Sequence, residues 1–414
     1  MLTKEDRKLF LALVAWALLP SVYVLVRMQI VAVNGVDINI LGQMEWFDLI
    51  DEVLVTTLTV PLYSLLRPKA DADGAGTNTA AFLVSFAVYA AFAALAVRHI
   101  AGIAAYMNAV GAERYLAMQS VSLLMGFVAL FGVLLLTING DVKSVRRLTL
   151  IRFASLAVLD TILISKQGDI GAALSEIASN AVVAVAVLTL CIVRGYLAKP
   201  RAARGAFFVS WVRIGVFVGV QIFLDNFFYA VMICKMVNVV HESGNYWVAN
   251  NFIWGWLLVP VTCFAELIRK NDLDALSVRN TWRYAAAIAA LWAASIPLWP
   301  WFVRNVMAIE QTDAILSILY PSVVFYLTYI PSAFLDGWFV SKGKTWCLTA
   351  ISAVVNLIYY GALFVLFQRG VFEPSMAFII QMFGWGMVVH LLLSAGLYWF
   401  VQKNMRKTAS EIDR

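Results

Sequence analysis

Basic residues in this chain keep to one side of an alternation. Twelve apolar stretches interrupt its 414 residues, near 9–33, 45–66, 80–98, 116–138, 147–165, 172–196, 206–234, 246–268, 282–303, 314–340, 345–367 and 374–401. A hydrocarbon core about 30 Å thick is crossed by about 20 helical residues. Of the 31 Lys and Arg residues, 22 lie at the two ends or in alternate connections on the same side. Six lie in the other connections, and Arg27, Arg152 and Arg213 fall inside stretches. Basic side chains resist transfer across a bilayer, so the populated side is the cytoplasm. The expectation is an all-α, multi-pass protein of a bacterial inner (plasma) membrane, with twelve spans and both termini cytoplasmic. The net charge of +6 is then mostly this asymmetry and calls for no nucleic-acid partner. The first stretch is too long for a cleaved signal and lacks a small-residue cleavage site.

The basic segment Lys199-Pro200-Arg201-Ala202-Ala203-Arg204 divides six stretches from six. Both halves carry a Val-Pro pair, Val60-Pro61 and Val259-Pro260, 199 residues apart. Upstream, Arg27-Met28-Gln29-Ile30-Val31 echoes Lys235-Met236-Val237-Asn238-Val239. An even number of spans per half makes such a repeat parallel, two six-helix bundles related by an axis along the membrane normal. The expected organisation is a lobe at 1–198, a cytoplasmic linker at 199–205, a second lobe at 206–402 and a tail at 403–414. Pro20, Pro61, Pro260, Pro297, Pro321 and Pro331 fall inside stretches, where each leaves a carbonyl without its helical donor. The tenth stretch, with two of them, is the best candidate for a bending helix.

Charges inside the stretches carry the functional signal, because an ionisable group in a bilayer is costly and marks a function by default. The second stretch opens with Glu45, Asp48, Asp51 and Glu52. Only fourteen uncharged residues follow, Val53 to Leu66, or about 21 Å of helix. Asp51 and Glu52 therefore lie below the outer interface, or the membrane thins there. Spacings of three and four place Glu45, Asp48 and Glu52 on one face, with Asp51 beside Asp48. Carboxylates so close repel, which favours a bound proton on at least one. Asp225 stands deep in the seventh stretch, between Arg213 and Lys235, with Gln221 one turn before it and Asn226 adjacent. Asp160 lies at mid-depth in the fifth, and Asn180 in the sixth faces a shared cavity if the helices adjoin. Arg27 either snorkels to the outer surface or neutralises the second-stretch acids. Glu176, Glu266 and Asp336 sit near stretch ends and read as interfacial.

Other chemistries leave no trace. Cys191, Cys234, Cys263 and Cys347 lie in or beside stretches without metal-ligand spacing, and His99, His241 and His390 are scattered. The expectation is no metal and no cofactor beyond a bound sodium ion or proton. A Walker loop is absent, so ATP is not the direct driver. Neither a Ser/His/Asp nor a Cys/His set converges at one depth, so no catalytic residues are assigned.

Six plus six spans, a basic mid-chain linker and buried carboxylates resemble the multidrug and toxic compound extrusion (MATE) family, across the whole chain at the level of architecture. The resemblance implies an amino-terminal lobe with a first-helix acid and polar residues of the fifth and sixth helices. Asp160 and Asn180 match the latter, and Pro20 is family-like. Arg27 stands on the first helix instead of an acid, leaving Asp48, Asp51 and Glu52 to supply carboxylates from the second. Asp225 resembles the seventh-helix acid, while Asp336 is a distant counterpart of the tenth-helix acid. These departures imply a divergent branch of the wider superfamily. The expected activity is secondary export of cationic or zwitterionic organic compounds by alternating access, in antiport with protons or sodium, by a monomer among membrane lipids. Asp225, Asp51, Glu52, Asp48 and Asp160 would couple the cation; Arg27, Gln221, Asn226 and Asn180 would line the cavity. A lipid-linked saccharide flippase of the same superfamily and an integral-membrane lipid-modifying enzyme are the alternatives.

Overall fold

The computed structural model describes residues 4–66, 72–200, 205–271, 278–342, 344 and 346–412. Of the basic residues used above, Arg67, Lys69, Arg201, Arg204 and Arg414 lie outside the described residues. Among the described residues there is helix and no strand, as the composition demands: in lipid every backbone N–H and C=O must be satisfied within its own segment.

Among the described residues, nine helices are long and apolar enough to cross a membrane, or ten if the bent pair Ser243–Leu257 and Val259–Ile268 forms one span. One of the nine, Val142–Val193, has 52 residues and would reach about 78 Å if straight. It turns at Gly168, whose φ of 59° and ψ of −129° are not helical. Asp160 meets Ser175 and Ser155 meets Ser179 across the turn, in antiparallel order. This helix therefore carries the expected fifth and sixth stretches. The expected second stretch is not among the nine, because its helix has only 16 residues and carries four acids. It forms a helix at Met44–Thr59, a break at Val60-Pro61 and a further turn at Leu62–Leu65. Length and composition alone thus return fewer spans than the twelve expected.

We number the helices used below α1 (Lys4–Val33), α2 (Met44–Thr59), α3 (Ala72–Tyr106), α4 (Glu113–Ile138), α5 (Val142–Val193) and α6 (Gly205–Phe228). They continue as α7 (Ser243–Phe252), α8 (Val259–Asn271), α9 (Val278–Ser295), α10 (Thr312–Ser341) and α11 (Met376–Ile412). By contacts the chain forms two compact units, Val26–Ala230 and Met1–Leu25 with Val231–Arg414. This grouping cuts α1 after Leu25, whereas the lobe boundaries at 199–205 follow the basic linker and the helix count.

In the Val26–Ala230 unit, a core of Leu62, Tyr89, Phe127, Phe131, Leu135, Val187 and Trp211 packs α2 to α6. Tyr89 stacks on Phe127 with ring centroids 4.6 Å apart. Small residues set the helix spacing. A Cβ at Gly219 would stand 2.3 Å from Thr57 Oγ1, and Trp211 Nε1 donates to Leu58 O at 2.9 Å. Close backbone approach of this kind is how membrane helices gain packing without a hydrophobic driving force.

In the other unit, Phe264 of α8 packs against Tyr284 of α9 and Phe334 of α10. The chain bends by 47° between Leu257 and Val259, directly before Pro260. The preceding Ile253–Leu257 is a π-helical turn, and Trp292 Nε1 donates to Leu257 O at 3.0 Å. Both Val-Pro pairs noted in the sequence thus stand at helix breaks. By contrast, α10 is continuous through Pro321 and Pro331.

Two predictions follow from the α5 hairpin. A Cβ at Gly171 would lie 2.1 Å from Leu163 O, a backbone atom that cannot yield cheaply. Gly171→Ala is expected to cost more than about 2 kcal/mol, read as a lower unfolding temperature in detergent, whereas Gly205→Ala, with open space at its Cβ, changes little. Asp141 caps α5, accepting from the Ser144 N–H at 3.3 Å and pairing with Arg194. Hydrogen bonding from Ser144, then Arg194 and Arg147, holds its carboxyl below the usual 3.8. A depressed carboxyl contributes stability above its unfolded value and loses it as pH falls through the folded one. Asp141→Ala should cost about 1 kcal/mol at neutral pH, a difference that melting curves should show shrinking below pH 3.8.

Candidate functional site

The turn at Gly168 creates the site. Asp160 precedes it by eight residues and Glu176 follows it by eight, so the hairpin brings both carboxylates to the same level, about 12 Å from the turn. Arg27 of α1 reaches both. Its Nη1 donates to Glu176 Oε1, its Nε lies 3.6 Å from Asp160 Oδ2, and its Nη2 donates to Ala172 O at 3.1 Å. Arg27 is 9% exposed and Asp160 0%. Asp160 Oδ1 also accepts from Ser175 Oγ, which bonds Ala172 O at 2.8 Å. Arg27 therefore does not snorkel; it is sequestered among acids. Glu176, read from the sequence as interfacial, belongs to this cluster. It misled because it stands only four residues inside its stretch; equal spacing around Gly168 was the signal that could have found it.

The four acids of α2 go to four places. Tyr229 Oη donates to Glu45 Oε1 at 3.3 Å, and Asn226 Nδ2 donates to Glu52 Oε2 at 3.0 Å and to Leu49 O at 2.9 Å. These two acids secure the end of α6 to α2. Asp51 accepts from Tyr89 Oη of α3. Asp48 faces the Arg27 cluster, within electrostatic reach of Glu176, Asp51, Glu45 and Arg27. Among the described residues it makes no hydrogen bond or ion pair, and its side chain is exposed.

One turn beyond Glu176, Asn180 donates from Nδ2 to Ser122 O at 3.2 Å and Ser122 Oγ at 3.1 Å. Among the described residues its Oδ1 has no hydrogen-bond partner, and the fully buried Gln119 of α4 stands beside Tyr115. Tyr115, one turn before Gln119, is in turn within electrostatic reach of Glu176, Arg27 and Asp48. A polar layer thus extends from the charge cluster across α4 and α5. Gln221 is half-buried on α6, and Asp225 is exposed there. In the other unit, Asp336 is held by His390 Nε2 at 3.1 Å and lies 3.5 Å from Ser394 Oγ. No group of three or more His, Cys, Asp or Glu side chains with metal-holding geometry occurs among the described residues.

Neither family models nor curated proteins match this chain in sequence. Solved structures do match in fold. An inward-facing multidrug resistance MATE family transporter of the MOP superfamily is similar, with a TM-score of 0.75 at 14% identity over 92% of this chain and 95% of that one. A MOP superfamily transporter from Pyrococcus furiosus, described by a reverse polarity of its binding pocket that suggests different function, gives 0.64 at 15% over 99% of each. The Vibrio cholerae MATE transporter VcmN in its bent form gives 0.61 at 13% over 98% of this chain and 99% of that one. The chain therefore has the fold of the MATE transporters, and it is a multi-pass membrane protein.

Removing Arg27 should be severe, because it strands buried carboxylates. Arg27→Met is expected to cost about 3–5 kcal/mol, and Arg27→Met with Asp160→Asn less than the sum of the two singles. Thermal unfolding of the three variants in detergent measures this non-additivity.

Proposed function

We propose that this protein is a secondary active exporter of small cationic or zwitterionic organic compounds, driven by antiport of protons or sodium. The observation that carries the reading is a charge imbalance. Two carboxylates, Asp160 and Glu176, share the guanidinium of Arg27, and a third, Asp48, lies within electrostatic reach of them. Such an excess is costly in a bilayer. A bound cation relieves it, and any arrangement that binds the cation better is favoured in proportion. Asp51, Glu52 and Asp225 extend the acidic set. Gln221, Asn226 and Asn180 supply neutral donors and acceptors for a polar substrate.

In this reading two six-helix lobes, 1–198 and 206–402, exchange access between the two membrane faces. The protein works as a monomer in a bacterial inner membrane with both termini cytoplasmic, surrounded by lipid, without nucleic acid and without catalysis. The MATE fold supports transport as the activity. A flippase for lipid-linked diphosphates needs cationic side chains free to grip phosphate. Arg27, committed to Glu176, Asp160 and Ala172, is a poor grip, so the flippase reading is the weaker one.

Proteoliposomes holding a fluorescent organic cation test the proposal under an imposed proton or sodium gradient. Wild-type protein should move the dye against its own gradient, and Glu176→Gln and Asp225→Asn should each slow it about tenfold, corresponding to about 1.4 kcal/mol. Flux indifferent to both gradients, or unchanged in both variants, would overturn it.

A further inference from the structure

We propose that Arg27 is a built-in cation that permanently fills the ion position between Asp160 and Glu176, leaving a single proton on Asp48 as the exchangeable ion of this unit. The inference deepens the transport reading and rests on it for the role of the proton. Its first half, occupancy by the guanidinium, stands on geometry alone.

A bare sodium ion entering this cluster needs several oxygen atoms at once. Between Asp160 and Glu176, four of the oxygens are already engaged. Glu176 Oε1 accepts from Nη1, Ala172 O accepts from Nη2 at 3.1 Å, Asp160 Oδ2 faces Nε at 3.6 Å, and Asp160 Oδ1 accepts from Ser175. A second cation here would also meet the guanidinium charge at close range, which is repulsive and poorly screened away from water. Arg keeps its charge at any working pH, so this occupant cannot leave by losing a proton. One positive charge is not enough for the cluster, however. Asp48 adds a third carboxylate with no hydrogen bond or ion pair of its own among the described residues. The charged and titratable groups facing Asp48 are Glu45 and Asp51 on its own helix, Arg27 on α1, Glu176 on α5, Tyr89 on α3 and Tyr115 on α4. Four of these six are acids or phenols that do not neutralise an anion beside them, and a fifth, Glu176, already holds Arg27; Arg27 alone is positive. A proton needs one oxygen and no coordination shell, so it can neutralise Asp48 alone, whereas sodium would need several oxygens at once.

The experiment compares thermal unfolding of the purified full chain in sodium chloride and choline chloride at equal ionic strength. Wild-type protein should melt at the same temperature in both salts. Arg27→Gln empties the position and should gain a sodium-specific rise of at least about 2 °C, the signature of a ligand that binds only the folded state. A sodium-specific rise in wild-type protein that Glu176→Gln abolishes would overturn the proposal, as would a folded Arg27→Gln with no such rise. Should Arg27→Gln fail to fold, the wild-type comparison and Asp48→Asn still decide. Asp48→Asn should melt near wild type yet lose proton-driven dye flux in sodium-free vesicles; retained flux would overturn the proton assignment. A chain that moves no dye at all defeats the transport reading, while the salt comparison still reports whether the guanidinium holds the ion position.

Discussion

One guanidinium held between two carboxylates organises the Val26–Ala230 unit. Arg27 joins the end of α1 to both arms of the α5 hairpin through Asp160, Ala172 and Glu176. In water such pairs contribute little, since screening and side-chain entropy offset the attraction. At this depth the balance changes. Each charge left alone would be expensive, so the three residues are held together less by the strength of their bond than by the cost of parting. The surrounding choices agree. Ser175 occupies the remaining side of Asp160, and small residues such as Gly171 bring the two arms of the hairpin close enough for one side chain to touch both.

The acids of α2 illustrate how neutral donors help to accommodate a face of like charges. Tyr229, just past the end of α6, donates to Glu45, Asn226 of α6 donates to Glu52, and Tyr89 donates to Asp51. Neutral donors stabilise a carboxylate without introducing an opposite charge that would itself need burial. Asp48 is the member of the row turned toward the Arg27 cluster. Division of labour along one helix thus separates acids that secure packing from an acid open to exchange.

Much of this was legible in the sequence, and what was not has physical reasons. Apolar stretch length and the one-sided basic residues were enough for an all-helical membrane protein, and both Val-Pro pairs marked helix breaks. Asp160 and Asn180 were singled out by depth, and both prove buried. Arg27 could not be decided from spacing, because its distance from Lys8 fits a snorkelling side chain as well as a buried one; only the hairpin partner settles it. Glu176 was missed because hydropathy reports how far a residue is from a stretch end, not which residue faces it across a turn. Asp225 marks the opposite limit. Distance from flanking charges measures depth along a helix but not direction around it, and its side chain is exposed.

Equal arms about Gly168 have a consequence for how this chain can change over time. Asp160 and Glu176 meet Arg27 because each stands eight residues from the turn. One residue added to a single arm would swing its carboxylate about 100° around the helix axis and about 1.5 Å along it. A matching gain on the opposite arm could not undo that swing, since each arm rotates about its own axis. An insertion within either arm between positions 160 and 176 should therefore break the cluster, whereas one in a connection outside the hairpin would leave its geometry intact.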